Sequence, residues 1–144
     1  MKPIDYFDGD YAFLSNFWWS EVWYLAMPYP TVEHAFQAAK AVDPATRECI
    51  RRVKSPGTAK LMGRTCQLRE DWEEVKEGIM YDLLWQKFTR HALMNEMLLA
   101  TGTRVLIEGN TWNDRYWGVC NGVGQNRLGL LLMQVRQEIR DGSS

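Results

Sequence analysis

The segment Thr31, Val32, Glu33, His34, Ala35, Phe36, Gln37, Ala38, Ala39, Lys40 carries a carboxylate and an amine seven positions apart. In a helix, seven residues return to nearly the same face after two turns, about 10 Å along the axis. Glu33 and Lys40 cannot pair directly over that distance. Two long side chains can instead converge from either end on a ligand lying across the helix, with Gln37 between them. The competing reading is electrostatic, since a first-turn glutamate and a last-turn lysine each complement the helix macrodipole. A further carboxylate, Asp114, stands between Trp112 and Trp117 in an expected loop, where functional groups concentrate on rigid scaffolds. Glu33 and Asp114 together would make the acid and base pair that glycosidic cleavage requires, because positive charge builds at the anomeric carbon and the departing group must be protonated. The alternative for Asp114 is an Asx-turn that only holds the loop backbone.

Weaker signals accompany these. Gly122, Gly124 and Gly129 surround Asn126 at the start of the last expected helix, and such a turn can offer backbone N–H groups to a phosphate. It is not a dinucleotide fingerprint, because Arg127 replaces the third glycine; a plain helix entry explains it better. Trp72 opens the longest expected helix, where its ring either faces a base or packs in the core. Cys49, Cys66 and Cys120 form no C-x-x-C pair, and His34 and His91 add no ligand spacing, so neither a metal nor another cofactor is expected.

The elements that must position these groups follow from local patterns. Ile4 to Phe7 and Phe17 to Leu25 read as strands joined by a turn at Asp8, Gly9 and Asp10, and Pro28 and Pro30 read as the end of any strand. Thr31 is placed to cap a helix over Val32 to Val42. Asp43 with Pro44, and Ser55 with Pro56, start two more, the second ending at Gly63. Asp71 and Glu74 form a capping box for a helix over Trp72 to His91. A short helix over Asn95 to Ala100, a strand over Val105 to Glu108, a polar loop and a final helix over Asn126 to Arg140 complete the chain.

The chain has 144 residues, 46% hydrophobic and 24% charged, which fits one folded domain over residues 1–140 with a frayed tail at 141–144. Its net charge of -1 supplies no global attraction to nucleic acid or an anionic membrane. No secretory or membrane-spanning pattern is present, so a cytoplasmic protein is expected, with no membrane and no obligate protein partner.

Several segments together resemble the NADAR, or YbiA-like, family: Phe13 to Phe17, Tyr29 to Lys40, Leu68 to Lys76, Asp114 to Gly118, and Asn126 to Gly129. The resemblance runs along nearly the whole chain in order. It implies an α+β, largely helical fold with a small β-sheet, and metal-independent hydrolysis of a ribose-to-nitrogen bond. The substrate it implies is either a phosphoribosylamino-pyrimidine intermediate of riboflavin synthesis or an ADP-ribosylated guanine in nucleic acid. Carried over by motif, the catalytic residues are Glu33, Lys40 and Asp114. Trp72 is the stacking residue, and Asn16, Trp117, Gly118 and Asn126 complete the substrate site. After Gly118 the sequence Val119, Cys120, Asn121 falls where the family varies. The rival from another class is a non-catalytic module that binds ADP-ribose or a nucleotide; it would have no need of Glu33, Lys40 and Asp114 together.

Overall fold

The computed structural model describes residues 1–142, which group into two compact units. The fold class is α+β, largely helical with little sheet.

The unit Asn16–Lys87 opens with an antiparallel hairpin of β1 (Trp19–Tyr24) and β2 (Met27–Thr31). The second strand contains both prolines that the sequence marked as strand breakers. Two positions apart, they leave their missing N–H on one edge, and an edge strand tolerates that. The turn is Leu25 and Ala26, both at positive φ (48° and 65°), a two-residue connection that usually recruits Asn and Gly. On the free edge of β1, Trp23 N–H donates to Gln86 Oε1 at 2.7 Å, and Gln86 Nε2 donates to Trp23 O at 2.9 Å. One carboxamide thus completes both backbone groups of a residue that faces Pro28 across the hairpin.

Helix α1 (Val32–Ala39) follows, and all eight of its residues are buried by both strands, α2 (Pro44–Arg52) and α3 (Pro56–Thr65). Ala35, Ala38 and Ala39 keep it slim enough to be packed on every side. The three caps act as expected: Thr31, Asp43 and Ser55 accept from His34, Ala45 and Thr58 N–H. Gly63 does not end α3, which runs two residues further. Helix α4 (Trp72–Arg90) starts where expected, but the Asp71 carboxylate forks onto Arg69 at 2.6 and 3.0 Å rather than capping Glu74, whose N–H bonds Asp71 backbone O. An adjacent guanidinium outcompetes an amide for a carboxylate.

The other unit joins Met1–Ser15 to the chain from Phe88 onward. Gly9–Leu14 is a 3₁₀ helix, and the expected strand at Ile4 shrinks to one parallel bridge with Leu106, bonded through Val105 O and Ile107 N–H. Helix α5 (Ala92–Ala100) begins three residues earlier than expected. Gly109–Asn110 (β3) and Val119–Cys120 (β4) pair in parallel. Helix α6 (Arg127–Gly142) includes Asp141 and Gly142, so the expected fraying does not begin at 141, where Asp141 accepts from Gln137; the remainder of the expected tail lies outside the described residues. Among the described residues, no helix is long and apolar enough to cross a membrane.

Candidate active site

Glu33 sits in the first turn of α1, 7% exposed, its N–H donating to Asn16 O at 3.1 Å. That bond ties the chain before the hairpin to the start of the helix. Gln37, one turn on and 4% exposed, donates from Nε2 to Glu33 Oε1 at 3.1 Å. Asn16 Nδ2 points at Met80 Sδ on α4 (3.6 Å), and its Oδ1 is buried without a hydrogen-bond partner.

Lys40 caps the C-terminus of α1 and is half-buried. Its Nζ lies 5.9 Å from the centroids of both Phe36 and Trp72, whose rings meet at 5.0 Å. Burial lowers the Lys40 pKa from its ordinary value; Glu33 and Cys66 oppose that shift, and Arg64 and Lys60 reinforce it. An amine so placed is more available as a neutral nucleophile than a solvated one. Trp72 is 6% exposed, so its ring forms part of the wall around the amine.

His34, between these groups in sequence, is fixed in the core. Its Nε2 lies 2.9 Å from Val53 O and its Nδ1 2.8 Å from Thr31 Oγ1. The carbonyl requires a proton on Nε2, and burial lowers the ring's pKa and so favours its neutral form, in which Nδ1 accepts from the Thr31 hydroxyl.

The remaining candidates lie in the second unit. Asp114 Oδ1 accepts from Tyr116 N–H (3.1 Å) and Trp117 N–H (3.0 Å), while the Asn110 side chain clasps Asp114 N–H and O. This is the Asx-turn geometry, with one carboxylate oxygen assigned to backbone. Trp117 packs edge-on against Tyr116 at 4.9 Å. A Cβ on Gly118 would overlap the Glu108 carbonyl and side chain, so that position demands glycine. Asn126, at φ 54°, accepts from Glu108 N–H and donates to Leu106 O, both at 2.9 Å, and thereby braces two strands of loop.

The structure therefore brings Asn16, Glu33, Lys40 and Trp72 into one unit and places Asp114, Trp117, Gly118 and Asn126 in the other. Sequence reasoning missed Phe36, Gly63 and Cys66 as neighbours of Lys40 and Gln37. A glycine inside an otherwise continuous helix was the available signal for Gly63. A cleft of about 210 Å³ at the hairpin tip, lined by Trp23, Leu25, Ile79 and Asp82 among others, contains none of the candidate residues. Among the described residues no three His, Cys, Asp or Glu side chains gather as a metal site.

Comparison with known proteins bears on this geometry. Residues 6–140 match the NADAR domain. The chain is 46% identical to N-glycosidase YbiA of Escherichia coli over 133 residues, covering 90% of this chain and 82% of that protein. An N-glycosidase of Nostoc punctiforme is 44% identical over 119 residues, 78% of this chain and 76% of its own. The chloroplastic riboflavin biosynthesis protein PYRR of Zea mays is 40% identical over 124 residues, 77% of this chain but 20% of its own length. Among solved structures, the NMR structure of E. coli YbiA superposes with a TM-score of 0.87 at 41% identity, covering 99% of this chain and 89% of that one.

Proposed function

The chain belongs to the NADAR family, and from that premise we propose that it is an N-glycosidase, hydrolysing the bond between ribose and the nitrogen of a base. The observation that carries the reading to particular atoms is Lys40: an amine half-withdrawn from water, walled by Phe36 and Trp72, on the same short helix as a buried carboxylate. A structural helix end needs none of this. A C-terminal lysine that only complements the macrodipole gains by staying solvated.

In the proposed reaction neutral Lys40 Nζ bonds to C1′ as the C1′–N bond breaks, and the base leaves with a proton. The ring oxygen takes a proton from Nζ as the sugar opens, giving an imine. Water then adds to C1′, expelling the amine and releasing free sugar. Glu33 balances the positive charge that develops at C1′. Asp114 is proposed as the group that moves the proton to the base, and Asn16, Trp72, Trp117, Gly118 and Asn126 as the residues shaping the substrate site. For the substrate we favour a phosphoribosylamino pyrimidine over ADP-ribosylated guanine: one similar protein is named for riboflavin biosynthesis, and a net charge of -1 offers a polyanion no general attraction.

The test is to incubate the protein with both substrates, with and without borohydride, and to follow base, sugar and protein by mass spectrometry. Base release with a reduced sugar adduct on the Lys40 peptide, absent in Lys40→Arg, is expected. Full turnover by Lys40→Arg without any adduct would leave direct attack by water. Asp114→Asn keeps an oxygen for Tyr116 and Trp117 N–H, so loss of turnover in that folded variant separates proton transfer from turn formation.

A further inference from the structure

We propose that Gln37 is the positioning residue for the Glu33 carboxylate, and that Gly63 on α3 exists to give the Gln37 side chain its place. This rests on the catalytic role proposed for Glu33. Gln37 is 4% exposed, and its Nε2 donates to Glu33 Oε1 at 3.1 Å from one helical turn away. Its Oε1 is buried with no hydrogen-bond partner, against the backbone of α3 where a Cβ on Gly63 would overlap it. Such an arrangement costs stability twice. A buried carbonyl oxygen is left without a donor, and a glycine interrupts a helix.

A side chain kept only for packing would be served better by methionine, which has a similar shape and no polar end to satisfy. What methionine lacks is the N–H. The amide is turned with its nitrogen toward Glu33 and its oxygen toward Gly63, and the reverse orientation would set a carbonyl against a carboxylate. The donor therefore does two things at Glu33. It fixes the orientation of the carboxylate, and it favours the ionised form, because a hydrogen bond to the charged state lowers a carboxyl pKa. Removing a donor to a charged group corresponds to about a 10- to 100-fold change in the quantity that depends on it.

The test uses the folded full chain and two independent readings. Carbon-13 labelling of the glutamate carboxyls gives the titration of Glu33 directly, with no substrate needed, its signal assigned by its loss in Glu33→Gln. In Gln37→Met the Glu33 titration is expected to move to higher pH. In Gln37→Glu it moves further, since two carboxyls at hydrogen-bond distance share a proton. Turnover on the substrate found above should fall about 10- to 100-fold in kcat for Gln37→Met, with KM little changed. Gly63→Ala should reproduce that loss, and should destabilise the parent far more than it destabilises Gln37→Ala, where the overlapping atom is gone. If Glu33 titrates identically in wild type and Gln37→Met, the positioning role is overturned whatever the activity. If Glu33 shifts as expected but Glu33→Gln retains turnover, the geometry stands and the catalytic role of Glu33 fails instead.

Discussion

Helix α1 and the loop from Asn110 to Asn126 both bring polar side chains inward, but they use them in opposite ways. In the loop, Asn110, Asp114 and Asn126 bond to backbone groups at 2.9–3.1 Å, and each bond replaces one that a regular element would have made. In α1 the backbone is already satisfied by the helix, yet Glu33, Gln37 and Lys40 are still drawn in. Gln37 and Asn16 even leave an oxygen without a donor. Polar groups that hold the chain together pay their own desolvation; those that do not must be kept for another reason, and for the α1 set that reason is the proposed reaction chemistry.

That contrast is broken most directly at Glu33. Glu33→Gln preserves size and can still accept from Gln37, so stability should hold while turnover falls about 10²- to 10⁴-fold. A variant within a few-fold of wild type would return Glu33 to the helix dipole. The loop should answer the other way. Asn126→Ala removes two part-buried bonds and places alanine at φ 54°, so a loss of about 2–3 kcal/mol in denaturant unfolding is expected. Unchanged stability would mean that Asn126 is not a brace.

Lys87 supplies a finer test in pH. It is fully buried on α4, and burial pushes its pKa down to about 7. Between that value and the ordinary lysine range the unfolded chain carries the proton and the folded chain does not, so stability rises with pH, by up to about 1.4 kcal/mol per unit. Unfolding curves from pH 7 to 9 should show that rise in wild type and a flatter profile in Lys87→Met. Equal slopes would place the ionised amine in the folded state.

The smallest effect is expected at the hairpin turn, which supplies none of the candidate site residues. Leu25→Asn with Ala26→Gly relieves two positive-φ positions and should add about 1 kcal/mol of stability with turnover unchanged. No gain in melting temperature would mean that Leu25 makes compensating contacts.

What could be read in the sequence was what depends on near neighbours. Thr31, Asp43 with Pro44, and Ser55 with Pro56 cap their helices because each cap is settled within three residues. Glu33 and Lys40 could be placed on one helix for the same reason. The readings that failed depended on a partner distant in sequence or on competition for a group. Met27–Thr31 is a strand because β1 lies beside it, which no local count of prolines reveals. Gly63 looked like a helix end, and only the fold shows Gln37 lying against it. Asp71 was open to two donors, and Arg69 took it. Asp114 was open between chemistry and turn; its Oδ1 is in the turn, and its other oxygen is where the proposed proton transfer would act.

The hairpin carries one more consequence. A two-stranded sheet has two open edges, and each is an invitation to polymerise through strand addition, the more so with Trp19 and Trp23 exposed on the surface. Here the two edges are shut by different chemistry. Pro28 and Pro30 strip N–H donors from β2, while the Gln86 carboxamide occupies the donor and acceptor of Trp23 on β1. A passing chain meets no complete ladder on either side, so this aromatic hairpin can remain small without becoming a seed for fibres or swapped dimers.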